Sequence, residues 1–194
     1  MSKLLKNNLI IVVSSPSGAG KTTVCNKLIN SDKSIGLSIS DTTRTSRDNE
    51  VDGVDYNFIS ENEFKNKIKD NLYVEYANVF GNYYGSPIEN IYSNFKKNRD
   101  ILFDIDWQGT TQLKNSSFTN IVSIFIVPPS KDTIYKRLQS RSKASGDDDK
   151  AINLRMREYE TEMSHKNDYD YIVINKNLEM CVDEIKKIIN SHRA

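Results

Sequence analysis

Residues 9 to 29 read Leu9-Ile-Ile-Val-Val-Ser-Ser-Pro-Ser-Gly-Ala-Gly-Lys-Thr-Thr-Val-Cys-Asn-Lys-Leu-Ile29, and this stretch decides the fold. Its first part is an unbroken apolar run rich in β-branched residues, the pattern of a strand buried on both faces. Its last part has helical spacing. Between them Ser15-Pro-Ser-Gly-Ala-Gly-Lys-Thr22 makes a strand, tight turn, Gly-Lys-Thr, helix arrangement, which is that of a P-loop. Gly18 and Gly20 let backbone amides approach a phosphate with no Cβ in the way. The following helix start offers unpaired N–H groups and the positive end of a dipole. Lys21 is placed to bridge β- and γ-phosphates, and the Thr22 hydroxyl to ligate magnesium. Ser15 stands where the strict pattern has its first glycine.

Further apolar runs follow at Ile101-Leu-Phe-Asp-Ile-Asp106, Ile121-Val-Ser-Ile-Phe-Ile-Val127 and Tyr171-Ile-Val-Ile-Asn175. Helical spacing lies between them, at Ile134 and Leu138 and at Ile152, Met156, Tyr159 and Met163. Strand alternating with helix predicts an α/β fold with a central parallel sheet. Asp104 ends a buried strand at the carboxyl edge of that sheet, beside the P-loop, where it can orient magnesium or its waters.

From 35 to 98 the character changes. Leu37-Ser-Ile-Ser40, Tyr56-Asn-Phe-Ile59 and Tyr73 to Phe80 alternate in polarity like short exposed strands, with Gly53, Gly81 and Gly85 between them. The expectation is an inserted small mixed-β lobe over about 35–98, with a core of 1–34 and 99–194. Ser86-Pro-Ile-Glu89 reads as a helix start, with serine at the N-cap and proline at the first position. Ser140 to Asp149 has almost no apolar residue and reads as a solvated loop or a lid, about 137–150.

The chain has 194 residues, 27 Lys and Arg against 26 Asp and Glu, and 37% hydrophobic residues. That balance argues against a dedicated nucleic-acid or membrane-surface protein. Two cysteines make no disulfide scaffold, and two histidines leave little room for a zinc site. The N-terminal apolar run is too short for a membrane span, so the expected setting is cytoplasmic. No feature of the sequence separates a monomer from a homo-oligomer.

A GTPase reading draws on Asp106-Trp-Gln-Gly109 and Asn175-Lys-Asn-Leu178, but Leu178 cannot accept the guanine N–H donors as a carboxylate would. The inserted segment points elsewhere. Arg44 and Arg47, three residues apart beside several hydroxyl residues, can converge on one phosphate through forked, charge-assisted bonds. Glu50-Val-Asp-Gly-Val-Asp-Tyr56, Tyr73-Val-Glu75 and Gly81-Asn-Tyr-Tyr-Gly-Ser86 follow in order. With the P-loop before them, these motifs closely resemble the guanylate kinase family, from Leu9 to Asn175.

The resemblance implies a three-layer P-loop fold with a nucleotide-binding lobe and a lid, and transfer of a phosphoryl group from MgATP to GMP or dGMP. It implies that Ser15, Pro16, Ser17, Gly18, Ala19, Gly20, Lys21 and Thr22 hold ATP, with Asn175 by the adenine. Arg44, Arg47, Tyr56 and Tyr84 would hold the GMP phosphate, and Ser40, Glu75, Ser86 and Asp106 would surround the guanine. Arg137, Arg141 and Arg155 would close over the ATP phosphates, although any one of them also reads as part of a solvated basic face. Thr22 and Asp104 are the magnesium candidates. Trp107 and Lys176 depart mildly from the family pattern. Chemistry agrees with the guanine assignment: a carboxylate at Glu75 accepts guanine's N1–H and 2-amino donors, and a hydroxyl at Ser86 can donate to O6. Adenine's N1 lone pair would face that carboxylate repulsively. Two other readings share the fold, a catalytically inactive interaction module and a kinase for another nucleoside monophosphate.

Overall fold

The structure, a computed structural model, describes residues 8–48, 50–145 and 149–193, in backbone only at 140–145, 149–151 and 154. Five strands make a wholly parallel sheet: β1 (Ile10–Ser14), β2 (Ile35–Leu37), β7 (Asp100–Asp104), β8 (Ile121–Val127) and β9 (Tyr171–Ile174). Their order is β2-β7-β1-β8-β9, with β1 at the centre. Successive residues of a strand face opposite sides, so β1 feeds two cores. Ile11 and Val13 pack under α1 (Lys21–Ser31) and α7 (Leu178–Arg193), beside Leu28, Val182 and Ile185. Ile10 and Val12 pack on the other face against Ile91 and Phe95 of α3 (Glu89–Lys96) and Leu113 of α4 (Trp107–Lys114). Helix, sheet and helix thus form three layers. A third cluster ties Ala19 to Ile134 and Leu138 of α5 (Lys131–Ser145) and to Ile152 and Tyr159 of α6 (Asp149–Ser164).

A second sheet of order β4-β3-β6-β5 is mixed and small. It comprises β3 (Asp41–Thr42), β4 (Asn57–Phe58), β5 (Tyr73–Val79) and β6 (Asn82–Pro87), with α2 (Glu61–Lys69) on one side. Its core is aromatic: Phe64 stacks between Tyr73 and Tyr83 at centroid distances of 4.6 and 5.3 Å. Asp41, fully buried, accepts from Asn57 Nδ2, Lys67 Nζ and Tyr73 Oη at 2.7–2.8 Å and so joins β3, β4, α2 and β5.

Three local expectations change. The lobe is shorter than 35–98, because Ile35–Leu37 pairs in parallel with β7 and α3 packs on the central sheet. Ser86 caps no helix. It lies in β6 opposite Glu75, and α3 starts only at Glu89, with no side-chain cap. The polar stretch after Ser140 is helical through Ser145 and again from Asp149, while 146–148 lie outside the described residues. No helix among the described residues is long and apolar enough to cross a membrane.

Candidate active site

The register of the central sheet builds one end of the site. Val13 of β1 pairs with Asp104 of β7, so the last residue of β7 stands beside the loop that leaves β1. That loop turns on Gly18 (φ 83°) and Gly20 (φ 96°). At Gly20 a Cβ would also come within 2.9 Å of Asn175 Nδ2, which makes glycine a steric as well as a conformational need. Helix α1 begins at once with Lys21, whose ammonium pairs with Asp104 Oδ1. Burial alone would lower the Lys21 pKa, but the Asp104 carboxylate outweighs it and holds the group above its ordinary value. Thr22 Oγ1 donates to the other Asp104 oxygen at 3.1 Å.

The loop is gripped from outside. The Ala19 carbonyl accepts from Arg137 Nη1 and from Asn175 Nδ2, both at 2.9 Å. Asn175, the residue that the resemblance assigns to the adenine side of the ATP site, is thus buried against the loop. Ser17 N–H donates to Glu162 Oε2 of α6 at 3.0 Å. Burial pushes the Glu162 carboxyl up to about 7, against the pull of that amide and of Lys21.

The second sheet builds the other end. Glu75 of β5 and Ser86 of β6 face each other across an antiparallel ladder, and Ser40 Oγ lies 3.2 Å from Ser86 Oγ. All three are buried. Burial pushes the Glu75 carboxyl up to about 7; the Ser86 hydrogen bond opposes this and the charge of Asp106 adds to it. The Glu75 carboxylate can sit there because residue 109 is glycine, since a Cβ would collide with Oε2. Asp106 caps α4, accepting from Gly109 N–H at 3.0 Å. Arg44 donates from Nε to Tyr84 Oη at 3.2 Å and lies 5.4 Å over the Tyr56 ring. Arg44 and Arg47 do converge, and the group they meet is the carboxylate of Glu50.

Both ends open into one cavity of about 750 Å³. Lys21, Thr22 and Asp104 line it, as do Ser40, Arg44, Arg47, Tyr56, Glu75, Tyr84 and Asp106, with Arg137, Arg155 and Glu162 at the α5 and α6 wall. Arg141 lies on α5, with its side chain outside the described residues. Glu50, Gly109 and Glu162 escaped the sequence reading. Glu50 and Gly109 stood inside quoted motifs; Glu162 carries no local signal, since its partner is 145 residues away.

Among the described residues no three His, Cys, Asp or Glu side chains cluster to hold a metal by themselves. Thr22 Oγ1 and Asp104 Oδ2 nevertheless offer two hard oxygens at one point. That donor set fits magnesium, which keeps waters and takes one or two carboxylates plus substrate phosphates.

The sequence model of the family described as guanylate kinase matches residues 7–192. The chain is 43% identical over 192 residues to the guanylate kinase of Rickettsia prowazekii, covering 99% of this chain and 95% of the relative. It is 42% identical over 190 residues to that of Novosphingobium aromaticivorans, covering 98% and 85%. The crystal structure of guanylate kinase from Anaplasma phagocytophilum superposes with a TM-score of 0.79 at 35% identity, over 96% of this chain and 86% of that one.

Proposed function

The chain belongs to the guanylate kinase family, and from that premise we propose that it transfers the γ-phosphoryl group of ATP to GMP or dGMP, giving ADP and the guanosine diphosphate. The observation that carries this reading is that two cationic clusters of different construction open into one cavity: the glycine loop ending in Lys21, and the Arg44–Arg47 pair held by Glu50.

In this reading the residues 15–22 hold the ATP phosphates by backbone amides and by Lys21. Thr22 and Asp104 would hold magnesium, directly or through water, and the ion would neutralise charge across the β- and γ-phosphates. Arg44, Arg47, Tyr56 and Tyr84 hold the acceptor phosphate. Glu75, ionised, accepts guanine N1–H and the 2-amino group, while Ser40, Ser86 and Asp106 complete the base pocket. Asn175 and Arg137 act first on the loop itself, through the Ala19 carbonyl. Arg137 and Arg155 line the α5–α6 wall, Arg141 lies on α5, and closure of 137–150 over the cavity would keep water from the transferring group.

The acceptor is a phosphate whose second pKa is about 6, so at neutral pH its oxygen is already ionised. No general base is needed, and the work left to the protein is alignment and charge stabilisation. The intact Lys21–Asp104–Thr22 set supports an enzyme over an inactive module. Free, buried cysteines at 25 and 181 fit a reducing cytoplasm. A coupled ADP-release assay with MgATP and GMP, dGMP, AMP, UMP and CMP in turn tests the proposal. Turnover confined to GMP and dGMP is expected, and equal turnover with AMP would refute the guanine assignment.

A further inference from the structure

Arg44 has five N–H donors, and four are spent within the chain. Nε donates to Tyr84 Oη at 3.2 Å, and Nη1 donates to the Thr45 carbonyl at 2.7 Å and to Glu50 Oε2 at 2.9 Å. Nη2 donates to Glu50 Oε1 at 2.9 Å. The Glu50 carboxylate thus meets the guanidinium fork to fork, which fixes its plane as well as its place. The same carboxylate accepts the backbone N–H of Arg47 at 2.8 Å and touches Arg47 Nη1 at 3.4 Å. Arg44 and Glu50 each expose only 15% of the side chain, so this is no solvated surface pair. Burial would raise the Glu50 pKa, but the bonds from Arg44 and Arg47 reverse that and hold it below its ordinary value.

We propose that Glu50 is the positioning residue of the acceptor-phosphate seat: it aims Arg44 and Arg47 at one point and leaves a single Nη2–H of Arg44, with the outer face of Arg47, to receive the phosphate. The inference rests on reading those two arginines as that seat. It assigns Glu50 a role in phosphate affinity and none in base recognition, since Glu50 touches nothing of the Glu75–Ser86–Ser40 cluster. Preorganisation is the physical gain. Two long cationic side chains held in one geometry lose little entropy when the phosphate arrives. A carboxylate that only competed with the phosphate for Arg44 would have the opposite effect on removal.

The test is calorimetric binding of GMP and of guanosine, which lacks the phosphate, to the native chain, E50Q and E50A. Guanosine affinity should stay within about twofold in all three, because the base pocket is intact. GMP affinity should fall about tenfold or more in E50A, the scale of a lost charge-assisted hydrogen bond. E50Q, which keeps one acceptor oxygen, should fall between. A collapse of the lobe would weaken guanosine as well, and that result overturns the inference. So does tighter GMP binding in E50A, which would mark Glu50 as a competitor. If the native chain prefers GMP to guanosine and E50A keeps the same preference, the inference alone fails. If the native chain binds both alike, the seat and the inference fall together.

Discussion

Replacing Glu75 by glutamine should stabilise the protein at pH 8 while weakening GMP binding, and the size of the first effect follows from the buried carboxyl. Glu75 is 4% exposed. Its pKa stands at about 7 in the folded chain against 4.5 for an ordinary glutamate. Below pH 4.5 the group is protonated in both folded and unfolded chains and contributes no difference. As pH rises through 4.5 the unfolded chain releases the proton and the folded chain keeps it, so folding becomes less favourable. Above pH 7 both are ionised and the penalty is constant, about 3 kcal/mol at about 1.4 kcal/mol per pH unit. Glutamine never ionises and avoids this penalty, although its NH₂ brings a donor that must be satisfied, at a cost of about 1 kcal/mol. The net expectation is about 2 kcal/mol at pH 8, or a rise in Tm of about 5 °C for a chain of this length.

The assay is denaturant unfolding of both proteins at pH 5 and pH 8. The advantage of Glu75→Gln must be present at pH 8 and mostly gone at pH 5. An equal difference at both values, or a variant less stable at pH 8, refutes the argument from burial. Guanosine binding supplies the functional half, because it carries no phosphate to titrate. Native affinity for guanosine should fall as pH drops below about 7, when Glu75 takes up its proton and loses acceptor capacity. The glutamine variant should bind about 100-fold more weakly at pH 8, with no such pH dependence.

Lys21→Ala should reduce turnover by on the order of a thousandfold with little change in Tm, since the ammonium acts mainly on charge in the transition state; a steady-state assay beside a thermal melt checks both. Gly109→Ala places a Cβ against Glu75 Oε2, so the KM for GMP should rise about tenfold while that for ATP holds. Asp41→Ala strands Lys67 and Tyr73 inside the lobe and should cost about 3 kcal/mol or more in denaturant unfolding. Glu162→Ala removes the acceptor of the Ser17 amide and should raise the KM for ATP about tenfold, and Glu162→Gln, which keeps an acceptor oxygen, should restore most of it.

The legible parts of this molecule are those whose physics is local. The strands at 10–14, 100–104 and 121–127 stand out because burial on both faces writes a continuous apolar run, and 171–174 writes the same run although Ile172 and Ile174 of this edge strand are exposed. The P-loop is legible because its conformation demands glycine at fixed places. Ile35–Leu37, with three residues, is too short to write a pattern, and only its parallel pairing with Asp100–Leu102 assigns it to the central sheet. Ser86-Pro87 carries the local chemistry of a helix cap, but the buried partnership with Glu75 keeps both residues in β6. The sequence reading assigns no helix to 61–69, although Ser60 and Glu63 bracket α2 with a capping pattern, and Ser60 does accept from Glu63 N–H at 3.2 Å. Glu162 was beyond reach because its role arises where a distant segment, 145 residues along the chain, meets the loop.

Net charge hid the site for a related reason. Among the described residues the cavity is lined by five basic side chains (Lys21, Arg44, Arg47, Arg137 and Arg155) and six acidic ones (Glu50, Asp55, Glu75, Asp104, Asp106 and Glu162). Over those residues the lining is thus not basic in sum, just as the whole chain carries only +1. What matters is the order of the charges. Asp104 holds Lys21 and Glu50 holds Arg44 by one edge, and of the five Arg44 donors a single Nη2–H is left unspent. Carboxylates that fix cations lower the total attraction, yet they convert mobile charge into oriented charge, and an in-line transfer depends on orientation. Glu75 and Glu162 stand near 7, so part of the negative count is protonated around neutral pH. A site built this way gains selectivity from geometry, because a phosphate arriving out of line finds carboxylates as often as guanidiniums.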